Sequence, residues 1–190
     1  VLWGHCLGYA LALRLASRLR AAGADVRALC IGGVVLDDDH AERSAAWKAP
    51  AAPLEADQVI GLLGAAGLET LSGGLSPDEW QEIVTKFRQD LLLSMACDHA
   101  HFRNGMAPLD VPLLCVVSDD DPLTPDFAEK APNWNGLSRR VRLVTLSGGG
   151  HYFIATRKTE VARVLTELAR ELDGTDAETD ADAVATSLAD

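Results

Sequence analysis

The sequence predicts an α/β fold on a mostly parallel sheet, from three observations. Short apolar runs at 1–5, 26–31, 113–117 and 141–146 have the length of buried strands. Amphipathic stretches of helical period follow the first and the last of these runs. The opening strand, helix and strand, punctuated by Gly23 and by Gly32-Gly33, have the size of the unit that joins two parallel strands.

The elements follow in order. Residues 1–5 are apolar and stop at a glycine-flanked turn. Leu11, Leu15 and Leu19 then repeat every four residues, with Ala12 and Ala16 beside them and Arg14, Ser17, Arg18 and Arg20 elsewhere. That spacing predicts a helix over about 7–22, closed by Gly23. Residues 34–56 read as irregular, with an acidic triplet Asp37-Asp38-Asp39 and two prolines, Pro50 and Pro53. Helices are predicted over about 55–66 and 78–102. The second has a strong start in Ser76-Pro77-Asp78-Glu79: a serine cap, proline in the first turn and glutamate three residues after the cap. After the strands at 113–117 and 141–146 a last helix is predicted over about 159–172, burying Val161, Val164, Leu165, Leu168 and Leu172. The order is β-α-β, a helical insertion at about 34–108, then β-α-β-α. An insertion in such a chain is expected over the carboxyl ends of the strands, where α/β sheets bind ligands. Residues 1–172 are read as one core and 173–190, rich in Ala, Thr and acids, as a disordered acidic tail.

Composition narrows the function. The chain has 190 residues, 48% of them hydrophobic, enough for one packed core. A net charge of −11 argues against nucleic acid or an anionic membrane as partner. No apolar run approaches the roughly 18 residues of a membrane span, and no charged leader precedes Gly4-His5-Cys6, so neither a span nor a secretory signal is expected. Of the four cysteines, Cys30 and Cys115 lie inside strands as small hydrophobes, and the spacings make neither a zinc motif nor a disulfide framework. A reducing cytoplasm fits best.

Three segments carry candidate chemistry. Gly4-His5-Cys6-Leu7-Gly8 has the Gly-x-nucleophile-x-Gly spacing of a strand-to-helix elbow. The sharp turn strains the central residue, and the glycines avoid clashes. The nucleophile then stands at the positive end of the following helix, which favours an anion there. The Leu7 backbone N–H would point at a developing oxyanion. Val117-Ser118-Asp119-Asp120-Asp121-Pro122 ends a strand in three carboxylates, any of which could orient a histidine. Ser147-Gly148-Gly149-Gly150-His151 is a glycine-rich turn presenting one histidine. Each has an ordinary structural reading alone: a buried cysteine, an acidic loop, a structural histidine. Together, Cys6, Asp121 and His151 follow the nucleophile–acid–base order of α/β-hydrolases, each at a strand's carboxyl end. A rival cluster, Cys97, His99 and His101, holds metal-binding residue types. On a helix 97 and 101 share a face while 99 points away, so it is read as lid surface and no metal is expected. Trp47, Trp80 and Trp134 are expected to pack in or line the lid.

The chain resembles the stand-alone (type II) thioesterases of polyketide and non-ribosomal peptide assembly lines, members of the α/β-hydrolase superfamily. The resemblance runs over about 1–172. It rests on Gly-His-Cys-Leu-Gly at 4–8 with Ala10, Leu11 and Leu15, on Phe87-Arg88-Gln89-Asp90, on the Pro112 to Pro122 strand and turn, and on Gly149-Gly150-His151-Tyr152-Phe153-Ile154. It implies an α/β-hydrolase fold with a helical lid, and it places the acid on Asp121. It also implies a thioester substrate on the phosphopantetheine of an acyl or peptidyl carrier protein, with no cofactor of the enzyme's own, no nucleic-acid or membrane partner, and a monomer. The substrate-lining residues stay open, the lid around Phe87 and Leu91 being the place to look. Three departures stand out: cysteine replaces the family's serine, Ser118 replaces a glycine, and the chain begins at the elbow strand. The earlier strands, and the loop that supplies a second oxyanion donor, are therefore expected to be missing. Two further readings remain: an inactive hydrolase-like module that binds a carrier protein, and an esterase of small esters, which Arg88-Gln89-Asp90 disfavours.

Overall fold

In the computed structural model, which describes residues 1–50, 54–67, 74–103 and 108–187, four strands lie side by side. They are β1 (Leu2–His5), β2 (Leu29–Gly32), β3 (Leu113–Ser118) and β4 (Val141–Leu146), in that order and all parallel. β2 and β3 are buried along their whole length. That is why they read as continuous apolar runs rather than alternating ones. β1 and β4 form the two edges, and β4 exposes Arg142 and Thr145.

Helix α1 (Gly8–Ala21) leaves the carboxyl end of β1 and stops before Gly23, which has a φ of 80°. Its buried face differs from the expected leucine stripe. Tyr9, Ala10, Ala12, Leu13 and Ala16 face the core, whereas Leu11 and Leu15 are 44% and 47% exposed. The reason is close packing. The small alanines let the helix lie against β1, where a leucine row would hold it off. Leu13 joins Leu29, Ile31, Leu113, Trp134 and Leu137 in the main core. Each fully buried aliphatic side chain of this kind stabilises the fold by roughly 1.5–3 kcal/mol. Trp134, expected to pack or to line the lid, packs in this core, in a 3-10 helix (Ala131–Gly136) before β4.

Between β2 and β3 come α2 (His40–Ala46), α3 (Ala56–Ala65) and α4 (Pro77–Phe102). α2 falls where an irregular segment was expected. The acidic triplet organises it: Arg43 of the helix pairs with Asp37 at 3.0 Å and with Asp39 at 3.3 Å, and Lys130 reaches Asp37 at 3.0 Å. α4 has the predicted capping box, with Ser76 N–H donating to the Glu79 carboxylate and Glu79 N–H returning to the Ser76 hydroxyl. Parts of the expected lid, at 51–53, 68–73 and 104–107, lie outside the described residues, as do positions 188–190 of the expected tail.

The chain divides into two units, Val1–Phe153 and Ile154–Asp190. In the second unit the last helix, Lys158–Ser187, continues into the segment read as an acidic tail. That segment suits a helix. Its alanines are strong helix formers, it has no proline, and a single Gly174 costs a helix only about 1 kcal/mol. No helix among the described residues is long and apolar enough to cross a membrane.

Candidate active site

The first unit brings three sequence-predicted residues to one end of the sheet. Cys6 follows β1 directly and is one of two non-glycine residues with positive φ among the described residues, at 50°. A left-handed residue there is the strained turn an elbow requires, and strain of this kind concentrates at functional sites. Its N–H donates to the Gly32 carbonyl at 2.9 Å and its carbonyl accepts from Tyr9 N–H at 3.0 Å, so the turn is held from both sides. Leu7 stands at the cap position of α1. The two flanking glycines do different work. A Cβ on Gly4 would lie 2.6 Å from the Gly8 carbonyl oxygen and 2.8 Å from Ala12 Cβ, so Gly4 is where helix and strand touch. A Cβ on Gly8 would meet nothing within 4 Å, so the expected steric need applies to Gly4 alone.

The three carboxylates after β3 divide the labour. Asp119 Oδ1 accepts from Gly148 N–H at 2.7 Å. Asp120 accepts from Gly149 N–H at 3.3 Å and Gly150 N–H at 2.8 Å, and its Oδ1 also takes the Ser118 hydroxyl at 2.6 Å. The Ser118 hydroxyl first, and the Gly150 N–H next, hold the Asp120 carboxyl below its usual range. Asp119 and Asp120 thus fasten the loop of Gly148, Gly149 and Gly150, all three with positive φ. Asp121 holds the imidazole itself: His151 Nδ1–H donates to its Oδ2 at 2.9 Å, and Leu123 N–H fixes its Oδ1 at 2.9 Å. Both side chains of the pair are almost fully buried, at 1% and 0% exposed.

With Nδ1 committed to Asp121, His151 Nε2 is buried and has no hydrogen-bond partner among the described residues. Burial alone would lower the His151 pKa. The Asp121 hydrogen bond, with the charges of Cys6 and Asp121, outweighs burial and raises it to about 9. Tyr152 completes this wall. Its ring lies 5.3 Å from that of His151, and burial, followed by the charge of Cys6, raises its hydroxyl. Of the two lid residues singled out, Phe87 packs on the small cluster of Val59, Leu63 and Val84, and Leu91 is half-buried on α4.

Sequence reasoning missed a second buried polar cluster. Tyr9 OH donates to Asp98 Oδ2, and His40 Nε2 lies 3.0 Å from Tyr9 OH and 3.3 Å from Asp98 Oδ2. His101, expected on the surface, is buried at 3% exposure. His99 Nδ1–H donates to the Ser44 carbonyl at 3.1 Å. Among the described residues no group of three or more His, Cys, Asp or Glu side chains converges as a metal set would.

The sequence matches the alpha/beta hydrolase family over residues 1–164, and the chain belongs to that family. No curated protein matches it. Among solved structures, it is similar to the RedJ thioesterase from the prodiginine pathway of Streptomyces coelicolor, at 20% identity over 87% of this chain and 62% of that one, with a TM-score of 0.56. It is similar to BorB, a type II thioesterase from the borrelidin cluster, at 18% identity over 87% and 63%, with a TM-score of 0.57. Human thioesterase 2 aligns at 18% identity over 90% and 70%, with a TM-score of 0.60. These likenesses define the α/β-hydrolase fold. The chain spans less than two thirds of the length of the RedJ and BorB structures.

Proposed function

We propose that this chain carries a thioesterase site that releases acyl groups from the phosphopantetheine thioester of an acyl or peptidyl carrier protein, with Cys6 as nucleophile, His151 as acid and base, and Asp121 as its orienter. One observation carries the reading: a left-handed Cys6 at the head of α1, opposite a histidine whose far nitrogen is pinned to a buried carboxylate. The type II thioesterases among the structural neighbours support the substrate class.

The chemistry follows from the raised His151. The His151 pKa, raised to about 9 in part by the charge of an ionised Cys6, favours transfer of the Cys6 thiol proton to Nε2, which gives the imidazolium and the attacking thiolate. Sγ attacks the thioester carbonyl and forms the new C–S bond while the carbonyl electron pair moves to oxygen. The Leu7 N–H donates to that oxyanion. Collapse breaks the C–S bond to pantetheine, and His151 Nε2–H protonates the departing thiolate. The neutral imidazole then takes a proton from water as the water oxygen attacks the acyl-Cys6. Collapse yields the carboxylic acid and restores the thiolate–imidazolium pair. Every step is a proton or acyl transfer between side chains, substrate and water.

Cysteine changes the energetics relative to serine. The first half-reaction exchanges one thioester for another and is near thermoneutral, so the acyl-enzyme keeps its reactivity. An amine or alcohol can then compete with water for the acyl group, making transfer an alternative outcome to hydrolysis. Free cysteines are consistent with a reducing cytoplasm.

The test is the ratio of turnover on an acyl-pantetheine thioester to that on the matching oxoester. The proposal expects the thioester to be faster by at least about tenfold, since thiolate is the better leaving group. Equal rates would point instead to an esterase. Absence of turnover on both would reduce the chain to a hydrolase-like module.

A further inference from the structure

One partly buried histidine has no part in the chemistry above. His5 is the last residue of β1, immediately before Cys6. Side chains alternate along a strand, so Trp3 and His5 share one face while Gly4 meets α1 on the other. On that face the His5 ring stacks on Trp3 at 6.4 Å and 11°, meets the edge of Phe153 at 4.9 Å, and lies 5.3 Å from the His151 ring. There is no slack beneath it, because a Cβ on Gly32 would come within 2.7 Å of His5 Nδ1.

The His5 ring makes one hydrogen bond among the described residues: its Nε2–H donates to the His151 backbone carbonyl at 2.8 Å. A carbonyl oxygen can only accept, so the proton is on Nε2. Nδ1 is buried with no partner. Burial first, and the charge of His151 next, push the His5 pKa down to about 4, so the ring stays neutral at physiological pH and does not compete with the imidazolium beside it.

This contact supplies what the loop before it lacks. Three consecutive glycines deliver His151, and glycine leaves a backbone mobile. Asp119 and Asp120 hold the loop upstream of His151, and Asp121 holds the ring. The His5 bond fixes the backbone of His151 itself, and it does so from the residue adjoining the nucleophile.

We propose that His5 is a positioning residue that sets the Cys6–His151 separation, by donating from the end of the elbow strand to the carbonyl of the base. This rests on the reading of Cys6 and His151 as nucleophile and base.

The experiment compares the parent with His5→Phe, which keeps the ring and loses the donor, and His5→Gln, which returns an N–H near the Nε2 position. Two readouts are taken: the titration of His151 followed by NMR on labelled histidine, and the rate of Cys6 alkylation by iodoacetamide. In His5→Phe the His151 midpoint is expected to fall by at least about one pH unit, from about 9. Alkylation at pH 7 is expected to slow by at least about tenfold, and His5→Gln to recover most of both. A His5→Phe protein with the parent's midpoint and alkylation rate overturns the proposal, as does a His5→Gln protein no better than His5→Phe. If His5→Phe does not fold, the parent decides: a His5 Nε2–H protected from solvent exchange supports the bond, and a bare Nε2 overturns it. Neither readout uses an acyl substrate, so failure of thioester turnover would sink the proposed reaction while leaving the His5 result standing.

Discussion

Among the described residues the first unit holds two histidine–aspartate pairs, one buried and one partly buried, and their difference separates a candidate site from a tie. In the pair at the strand ends, His151 uses Nδ1 for Asp121, and its buried Nε2 makes no hydrogen bond among the described residues. One nitrogen is held and the other is uncommitted, which is what a base needs to pass a proton while staying oriented. In the pair between helices, His40 Nε2 is shared by Asp98 Oδ2 at 3.3 Å, Tyr9 OH at 3.0 Å and the Ser44 hydroxyl at 3.4 Å. A serine, a histidine and an aspartate are all present there, yet acid and hydroxyl crowd one nitrogen, so no relay runs through the ring. Burial first, and Asp98 next, hold the Tyr9 phenol far above its usual range. The helical cluster binds α1, α2 and α4 to one another; the strand-end cluster brings a left-handed cysteine and a carboxylate-held imidazole to one end of the sheet. Having the right residue types together is not enough for the proposed chemistry, which also needs the strained backbone and an uncommitted ring nitrogen.

The contrast is open to being broken, beginning with the largest effect. Asp121→Asn should slow Cys6 acylation by about 10²–10⁴-fold, because the amide disturbs both the tautomer and the charge on which His151 relies. Stopped-flow acylation would show this, and a loss under tenfold would demote Asp121. Tyr9→Phe should leave acylation within about threefold of the parent. It should also cost about 1–3 kcal/mol in a urea melt by stranding the buried Asp98. A collapse of acylation in that variant would mean that the helical cluster is coupled to the chemistry after all. Gly4→Ala should destabilise by about 1–3 kcal/mol through overpacking against Ala12 and the Gly8 carbonyl, whereas Gly8→Ala should be nearly silent. Reversed sizes in thermal melts would refute the asymmetry between the two glycines.

The smallest effect is a pH dependence. The folded His151 pKa, at about 9, lies above the unfolded value near 6.5. Its contribution to stability is therefore complete below about 6.5 and is lost as pH rises through about 9. Parent and His151→Gln should differ most near pH 6 and converge by about pH 10. A constant difference across that range would show that His151 is not raised.

What could be read in the sequence was local. The elbow pentapeptide, the strand lengths and the Ser76 capping box each occupy a few consecutive residues, and they carried the parallel order of the sheet with them. The buried face of α1 was misread because leucine spacing is a good sign of a helix but a poor sign of its orientation. Alanines faced the sheet, and no pattern within the helix says how closely its neighbour approaches. The acidic triplet at 119–121 was legible as a turn able to orient a histidine. The separate tasks of its members were not, since those depend on which N–H groups of a loop some thirty residues later come to meet them. The Tyr9–Asp98 bond joins residues 89 apart in sequence and had no local signal at all. His5 was in view inside the elbow motif, but its partner is a backbone carbonyl, which leaves no mark on a sequence.

The central claim is that Cys6 is a nucleophile coupled to His151. The most direct measurement is the intact mass of the protein after mixing with an acyl-pantetheine thioester, for the parent and for Cys6→Ala. The account predicts one acyl adduct on the parent, located at Cys6 by peptide mapping, and none on the variant. An adduct that forms as readily on Cys6→Ala would contradict it.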